Sequence, residues 1–245
     1  MTGASGCLGR AIALQHARPG AGFRLWGRDS VRLDESAQAI RALGAVTRET
    51  VFDLTDAQGA GRTVAEQDKT EVFDFAYLVA GTGETRKAGD RVESAELVAR
   101  AAQVNFAAPA AMAAALADRM AERGGGRIIL IGSAAGHHSL PFASAYSGSK
   151  AGLARFADAL RLAVRPYGVS VTLAAPGFLD TPSAARGAKD PPFLLDVDKA
   201  AHRIVRAGER GAGHYVTPWS FRALRTLDAL LPARLRDAIL SRLEP

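Results

Sequence analysis

Short apolar runs alternate with segments of helical spacing along the whole chain, the pattern of βαβ units that build a parallel sheet. Phe23–Trp26, Val46–Phe52 (closed by Asp53), Phe73–Val79, Ile128–Ile131, Val169–Ala174 and His214–Thr217 read as strands. Helices are expected from a glycine-rich turn at Gly3 to Ala17, from an Asp29 cap to Leu43, and onward from a Thr55 cap. Further helices are expected over Ala95–Met120, Tyr146–Arg165 and Asp198–Ala207. Pro109 must bend or divide the Ala-rich fourth of these, because it lacks an N–H and its ring crowds the preceding turn. Residues 80–90 read as an irregular loop, and residues 176–192, rich in Gly, Pro and Ala, as a mobile one. A basic amphipathic tail runs from Phe221 to Leu243, with leucines at helical spacing and arginines between them. No repeat or linker interrupts the 245 residues, so one doubly wound α/β domain is expected over 1–245, with a substrate loop at 182–197 and a helical tail at 219–245.

Composition narrows the functional classes. Hydrophobic residues make up 48% and charged residues 23%, ordinary for a globular chain. The net charge of +6 could attract phosphates or acidic surfaces, but the arginines are scattered and form no aromatic-interleaved stripe, so no nucleic-acid partner is expected. The single Cys7 allows no internal disulfide and fits a reducing, cytoplasmic setting; it is expected to fill space in its turn. No apolar stretch reaches the ~18 residues of a membrane span. The tail is expected to pack on its own domain or a second subunit, with peripheral membrane contact as a minor alternative. No metal site is expected.

Candidate chemistry concentrates in the stretch that begins at Ile128. Tyr146 and Lys150 lie four residues apart, which on a helix puts a phenol and an ammonium on one face. Ser133 follows an apolar strand, so its hydroxyl emerges at the carboxyl end of the sheet, where open α/β sheets bind ligands. A phenol loses its proton near pH ~10, and a neighbouring cation favours the phenolate, so Tyr146 beside Lys150 is expected to act as an acid/base near neutrality. Arg28 follows the Phe23–Trp26 strand and reads either as a solvated arginine before the Asp29 cap or, if the glycine-rich start holds a dinucleotide, as the group that accommodates the 2′-phosphate of NADP. A carboxylate would select NAD, and neither Trp26 nor Gly27 is acidic, so NADP(H) is preferred, with NAD(H) possible. His137 and His138 are expected to be a solvated loop pair, or else to touch substrate.

With these motifs in order, the chain resembles the short-chain dehydrogenase/reductase family over nearly its whole length. The resemblance implies a Rossmann-like fold and an oxidoreductase that interconverts a carbonyl and a secondary alcohol. TGASGCLGRAIA is similar to the family's phosphate-binding turn, which implies cofactor contacts at Gly3, Ser5, Gly6, Leu8 and Gly9. By the same resemblance Asn105 joins Ser133, Tyr146 and Lys150 as catalytic residues and orders a water that relays protons to the lysine. Asp53 and Leu54 contact adenine, Ala80 and Gly81 line the cofactor, and Pro176, Gly177 and Thr181 flank the nicotinamide. Asp53 could also cap a helix. A small-molecule substrate and a homodimer or homotetramer are implied. The Gly3/Gly6/Gly9 spacing also resembles sugar-nucleotide epimerases and dehydratases, which carry a larger carboxyl-terminal domain, and a catalytically silent dinucleotide-binding protein is a third reading.

Two departures stand out. Leu78-Val79-Ala80-Gly81 occupies the place of the family's Asn-Asn-Ala-Gly, so the asparagines' hydrogen bonds must be missing or replaced. Only Met1 precedes Thr2, where the family has its central first strand. A start codon placed inside the true gene, or a natural truncation, is expected, and with it an empty, foreign-filled or collapsed slot in mid-sheet beside a poorly ordered first turn.

Overall fold

The computed structural model describes residues 1–181, 193–221 and 231–242. In chain order the elements are α1 (Cys7–His16), β1 (Gly22–Gly27), α2 (Ser30–Arg41), β2 (Val46–Val51), α3 (Ala57–Thr70), β3 (Phe75–Leu78) and α4 (Ala95–Ala102). A π-turn (Gln103–Ala107) leads into α5 (Ala108–Glu122), followed by β4 (Gly126–Ile131), α6 (Ser144–Val164), β5 (Val169–Pro176), α7 (Val197–Glu209), β6 (His214–Thr217) and α8 (Ala233–Leu240). All strand pairs are parallel. Most of the expected substrate loop, and tail residues 222–230 and 243–245, lie outside the described residues.

Strand character follows burial on both faces. Ile128, Ile129 and Leu130 of β4 are fully buried, and β5 is buried along nearly its whole length, which is why both read as unbroken apolar runs. On one face α3, α5 and α6 supply Val64, Met112, Leu116 and Leu153 to the core. On the other, α1 and α7 pack Ile12, Ala201 and Ile204 against β3 and β4, while α1 and α2 enclose Leu25 and Ile40. The helix starts obey capping chemistry: Asp29, Asp56, Ser94 and Asp196 each accept the N–H three residues on. The cap of α3 is therefore Asp56, one residue past the expected Thr55. Asp53 instead accepts the Thr55 N–H in a turn ahead of the helix.

The sheet falls into two sections, β1–β2 and β3–β4–β5–β6. Thr2 joins them through single bridges to Trp26 and Leu78. The Thr2 N–H donates to Tyr77 O at 2.9 Å, Trp26 N–H to Met1 O at 2.8 Å and Ala4 N–H to Trp26 O at 3.1 Å. Below this junction a cleft of about 310 Å³ opens between the facing edges of β1 and β3, walled by Met1, His16, Arg24, Phe75 and Tyr77. The slot is thus empty along most of its length and closed only at its carboxyl end. The turn above it is formed all the same, with Gly6 N–H on Gly3 O at 3.0 Å, because Thr2 anchors it from both sides.

The Met1 amine donates to Arg24 O at 2.6 Å inside this cleft, and burial together with the Arg24 charge lowers its pKa from 8.0 to about 5. The unfolded chain therefore binds a proton between these two values that the folded chain does not, and stability falls as pH drops from about 8 toward 5. Melting temperature should rise by a few degrees between pH 6 and pH 8.5. A chain with about five Val/Ile-type residues ahead of Met1 should melt at least ~5 °C higher and lose that pH dependence, whereas a Gly/Ser extension of equal length should lose the pH dependence without the gain. Equal melting temperatures for the two extensions would show that the cleft does not accept a strand.

Candidate active site

The carboxyl end of β4 brings the first three candidates together. Gly132 N–H bonds Ala174 O at 2.8 Å and carries the chain to Ser133, which starts a short 3₁₀ turn (Ala134–His137). Ser133 Oγ accepts the Ala135 N–H at 3.1 Å, which leaves its hydroxyl proton to turn toward the Tyr146 phenol, close enough to favour the phenolate against burial. Tyr146 and Lys150 sit one turn apart on α6, with Lys150 Nζ 6.0 Å from the phenol ring centroid. Lys150 is only 4% exposed, and its ammonium donates to Ile131 O at 2.8 Å. Gly136 makes room for the helix, since a Cβ there would lie 2.9 Å from the Lys150 carbonyl carbon.

Asn105 completes the group from below. It lies in the π-turn, an extra residue in the helical ladder of the kind that recurs at functional sites. Pro109 therefore falls in the first turn of α5, where its missing N–H is harmless. Asn105 is fully buried: Oδ1 accepts Thr82 N–H at 2.8 Å, and Nδ2 donates to Thr82 O at 2.9 Å and Ser149 Oγ at 3.1 Å. Gly81 lies over both Asn105 and Lys150, since a Cβ there would stand 3.1 Å from Asn105 Oδ1 and 3.3 Å from Lys150 Nζ.

The amino-terminal turn flanks this group. Gly3 adopts φ +68° and passes so close to Ala80 N that a Cβ would lie 2.8 Å from it; one on Gly9 would lie 2.2 Å from Gly3 O. Gly6 precedes α1 without any side-chain cap, so the helix presents its first N–H groups to an anion. Ser5 Oγ packs against Gly27, Leu8 packs on the core beneath, and Ala80 N–H donates to Thr2 Oγ1. Arg28 is exposed and lies within electrostatic reach of Asp53, whose carboxyl the Thr55 N–H, first, and then Arg28 hold below the usual range. Leu54 packs into the core. At the far side β5 ends at Pro176; Gly177 N–H bonds Thr217 O at 2.8 Å, and its lack of a side chain admits the Phe221 ring. Thr181 is half-buried at the border of the described segment.

This geometry meets its counterpart among known proteins. Residues 1–191 match the family described as short chain dehydrogenase. The chain belongs to the short-chain dehydrogenase/reductase family, a family of oxidoreductases. It is 31% identical over 99% of its length to an uncharacterized oxidoreductase of Myxococcus xanthus, spanning 96% of that protein. It is 32% identical to the probable oxidoreductase EphD of Mycobacterium tuberculosis, spanning only 43% of that longer chain. Among solved structures it overlays on a short-chain dehydrogenase from Sphingobium yanoikuyae in complex with NADPH, with TM-score 0.82 and 27% identity over 100% of this chain and 95% of that one. No helix among the described residues is long and apolar enough to cross a membrane.

In this short-chain dehydrogenase/reductase the hydrogen bonds of the absent asparagines are replaced, as expected, and three other sequence-based expectations are not met. Thr2 Oγ1 takes over where the asparagines are absent, accepting the N–H groups of Val79 and Ala80 at 3.0 and 3.2 Å. Tyr146 is not drawn toward the phenolate: burial raises its pKa and outweighs the Ser133 hydrogen bond, while Lys150 is committed to Ile131 O. Burial also lowers Lys150 to about 8. His137 and His138 are half-buried, with the His137 ring 5.3 Å from that of His214, so they are not a solvated loop pair. Cys7 is exposed and does not fill its turn. Thr82 and Ser149, which hold Asn105, carried no signal beyond the Ser149-Lys150 pair.

Replacing Asn105 by Ala strips the Thr82 N–H and C=O of their side-chain partner, at about 1–3 kcal/mol for each group left buried and unpaired. Asn105→Asp should be no better, because a carboxylate can accept from the N–H but only repels the carbonyl. Chemical denaturation should show both variants less stable by roughly 2–4 kcal/mol; a loss below ~0.5 kcal/mol would mean that solvent replaces these bonds.

Proposed function

We propose that this chain interconverts a carbonyl and a secondary alcohol using a nicotinamide dinucleotide, with NADP(H) preferred. The observation that carries the reading is the Tyr146 phenol set between the Ser133 hydroxyl and the Lys150 ammonium at the carboxyl end of β4. A bound dinucleotide would supply hydride to the substrate carbonyl carbon, or accept it from the alcohol carbon. Tyr146 donates its proton to the oxygen that becomes the alcohol; a phenol kept protonated by burial is in the right form to do so at neutral pH. Ser133 donates a hydrogen bond to the same oxygen. Lys150 holds a positive charge behind the phenol and contacts the nicotinamide ribose, while Asn105 fixes the backbone above it and orders a water toward the lysine.

The residues present suit such a cofactor. The tight turn of Gly3, Ser5, Gly6, Leu8 and Gly9 leaves the amino-terminal N–H groups of α1 uncapped, as a pyrophosphate requires. Arg28 would meet the 2′-phosphate, Asp53 and Leu54 the adenine, and Ala80, Gly81, Pro176, Gly177 and Thr181 the nicotinamide side. Two similar structures favour the phosphorylated cofactor: the Sphingobium enzyme in complex with NADPH, and a putative NAD(P) dependent gluconate 5-dehydrogenase from Beutenbergia cavernae with bound NADP, at TM-score 0.81 and 26% identity over 91% of this chain and 95% of that one. Cytoplasmic location and assembly into a homodimer or homotetramer complete the reading.

Tyr146→Phe should lose more than nine-tenths of kcat, a barrier rise above ~1.4 kcal/mol, while NADPH affinity stays within a few-fold. Stopped-flow turnover and fluorescence titration check the two halves; retained turnover removes Tyr146 as the acid. Arg28→Ala should weaken NADPH roughly ten- to hundred-fold, matching the 1.5–3 kcal/mol of a charge-assisted contact, with NADH little changed. Equal losses for the two cofactors, or a wild type that already prefers NADH, would overturn the NADP assignment.

A further inference from the structure

The helix that carries the proposed acid begins without a cap of its own. Ala143 at the N-cap of α6 makes no side-chain hydrogen bond, and no acidic residue lies in the first turn. The capping group arrives from 52 residues upstream: Glu93 Oε2 accepts the Ala145 N–H at 2.7 Å and the Ser144 hydroxyl at 2.5 Å. Glu93 is 9% exposed, and Oε1 makes no hydrogen bond within the described chain. A carboxylate so buried is costly unless it is paired, and all its hydrogen bonding goes to the start of α6, where the helix dipole favours a negative charge.

Ala145 immediately precedes Tyr146, so the contact acts one residue from the phenol. The same segment holds the approach to the helix through Arg86 N–H on Phe142 O at 3.0 Å. One turn further on, Lys150 is already fixed to the sheet by its bond to Ile131 O. The first turn therefore hangs between two anchors, the sheet on the Lys150 side and Glu93 at the free end. We infer that Glu93 is a positioning residue: it holds the first turn of α6 so that the Tyr146 hydroxyl stays on Ser133. The inference rests on the acid role proposed for Tyr146, and a displacement of about 1 Å in such a group can cost on the order of 100-fold in rate.

Two readouts separate this inference from that reading. Amide hydrogen exchange on the chain alone reports the anchor: Glu93→Ala should speed exchange at Ala145, Tyr146 and Ser147 by roughly ten-fold or more while the amides of Ile129 and Leu130 in β4 keep their protection. Turnover of the best ketone from an aryl and aliphatic panel, with NADPH, reports positioning: Glu93→Ala should lower kcat about 100-fold with KM for NADPH within three-fold. Glu93→Gln should restore kcat to within about three-fold with an unchanged pH profile, because its amide oxygen still accepts the Ala145 N–H and its amide N–H can bond Ser144 Oγ. Should Glu93→Ala lose β4 protection as well, the milder Ser144→Ala decides, with a several-fold fall in kcat expected. Unchanged first-turn exchange in Glu93→Ala, a Gln variant as impaired as the Ala variant, or a Ser144→Ala chain with wild-type kcat would each overturn the inference. A wild type inactive on every ketone with either cofactor would instead overturn the reading of the site, and the exchange measurement would still decide the anchor.

Discussion

Thr2 is the point on which both halves of the molecule depend. Its backbone bridges Trp26 on one side and Leu78 on the other, and its hydroxyl oxygen receives the N–H groups of Val79 and Ala80. One buried residue thus bridges the two sheet sections and holds the N–H of Ala80, next to Gly81, which lies over Asn105 and Lys150. Below Thr2, among the described residues, a cleft separates β1 from β3, so the pairing between the two sheet sections is confined to this junction. The Gly3 turn and the Asn105/Lys150 group are therefore connected through a few bonds at one end of a gap.

Burial governs the chemistry at the carboxyl edge. It lowers Lys150 from 10.5 to about 8 and raises Tyr146 from its ordinary value, so burial moves the two groups apart in proton affinity and favours the neutral phenol. Ser133 opposes the rise at Tyr146, and the bond from Lys150 to Ile131 O keeps the ammonium satisfied although it is shut away from solvent. A protonated phenol beside a donor hydroxyl is suited to delivering a proton to a developing alkoxide, which is the step a carbonyl reduction needs.

Much of this was legible in the sequence, for physical reasons. Strands buried on both faces must be apolar throughout, so β4 and β5 announced themselves, and the i, i+4 spacing of Tyr146 and Lys150 held on α6. Pro109 signalled a break in the fourth helix, but the π-turn that places Asn105 depends on packing against Thr82 and Ser149, far away in sequence. The substitute for the missing asparagines was equally hidden, because Thr2 meets Val79 only after the fold brings them together. The direction of the Tyr146 shift could not be read from spacing, since spacing gives proximity to Lys150 but not the depth of burial. Thr55 and Asp56 are both capable caps, and only the backbone angles chose Asp56.

The most direct test of the central claim is hydride tracing. The wild-type chain would be incubated with NADPH deuterated at both nicotinamide C4 positions and the ketone it reduces fastest, and the product examined by mass spectrometry and NMR. The account predicts an alcohol with a single deuterium on the former carbonyl carbon and a solvent-derived proton on oxygen. Alcohol formed without deuterium at that carbon, or NADPH consumed with no alcohol formed, would contradict it.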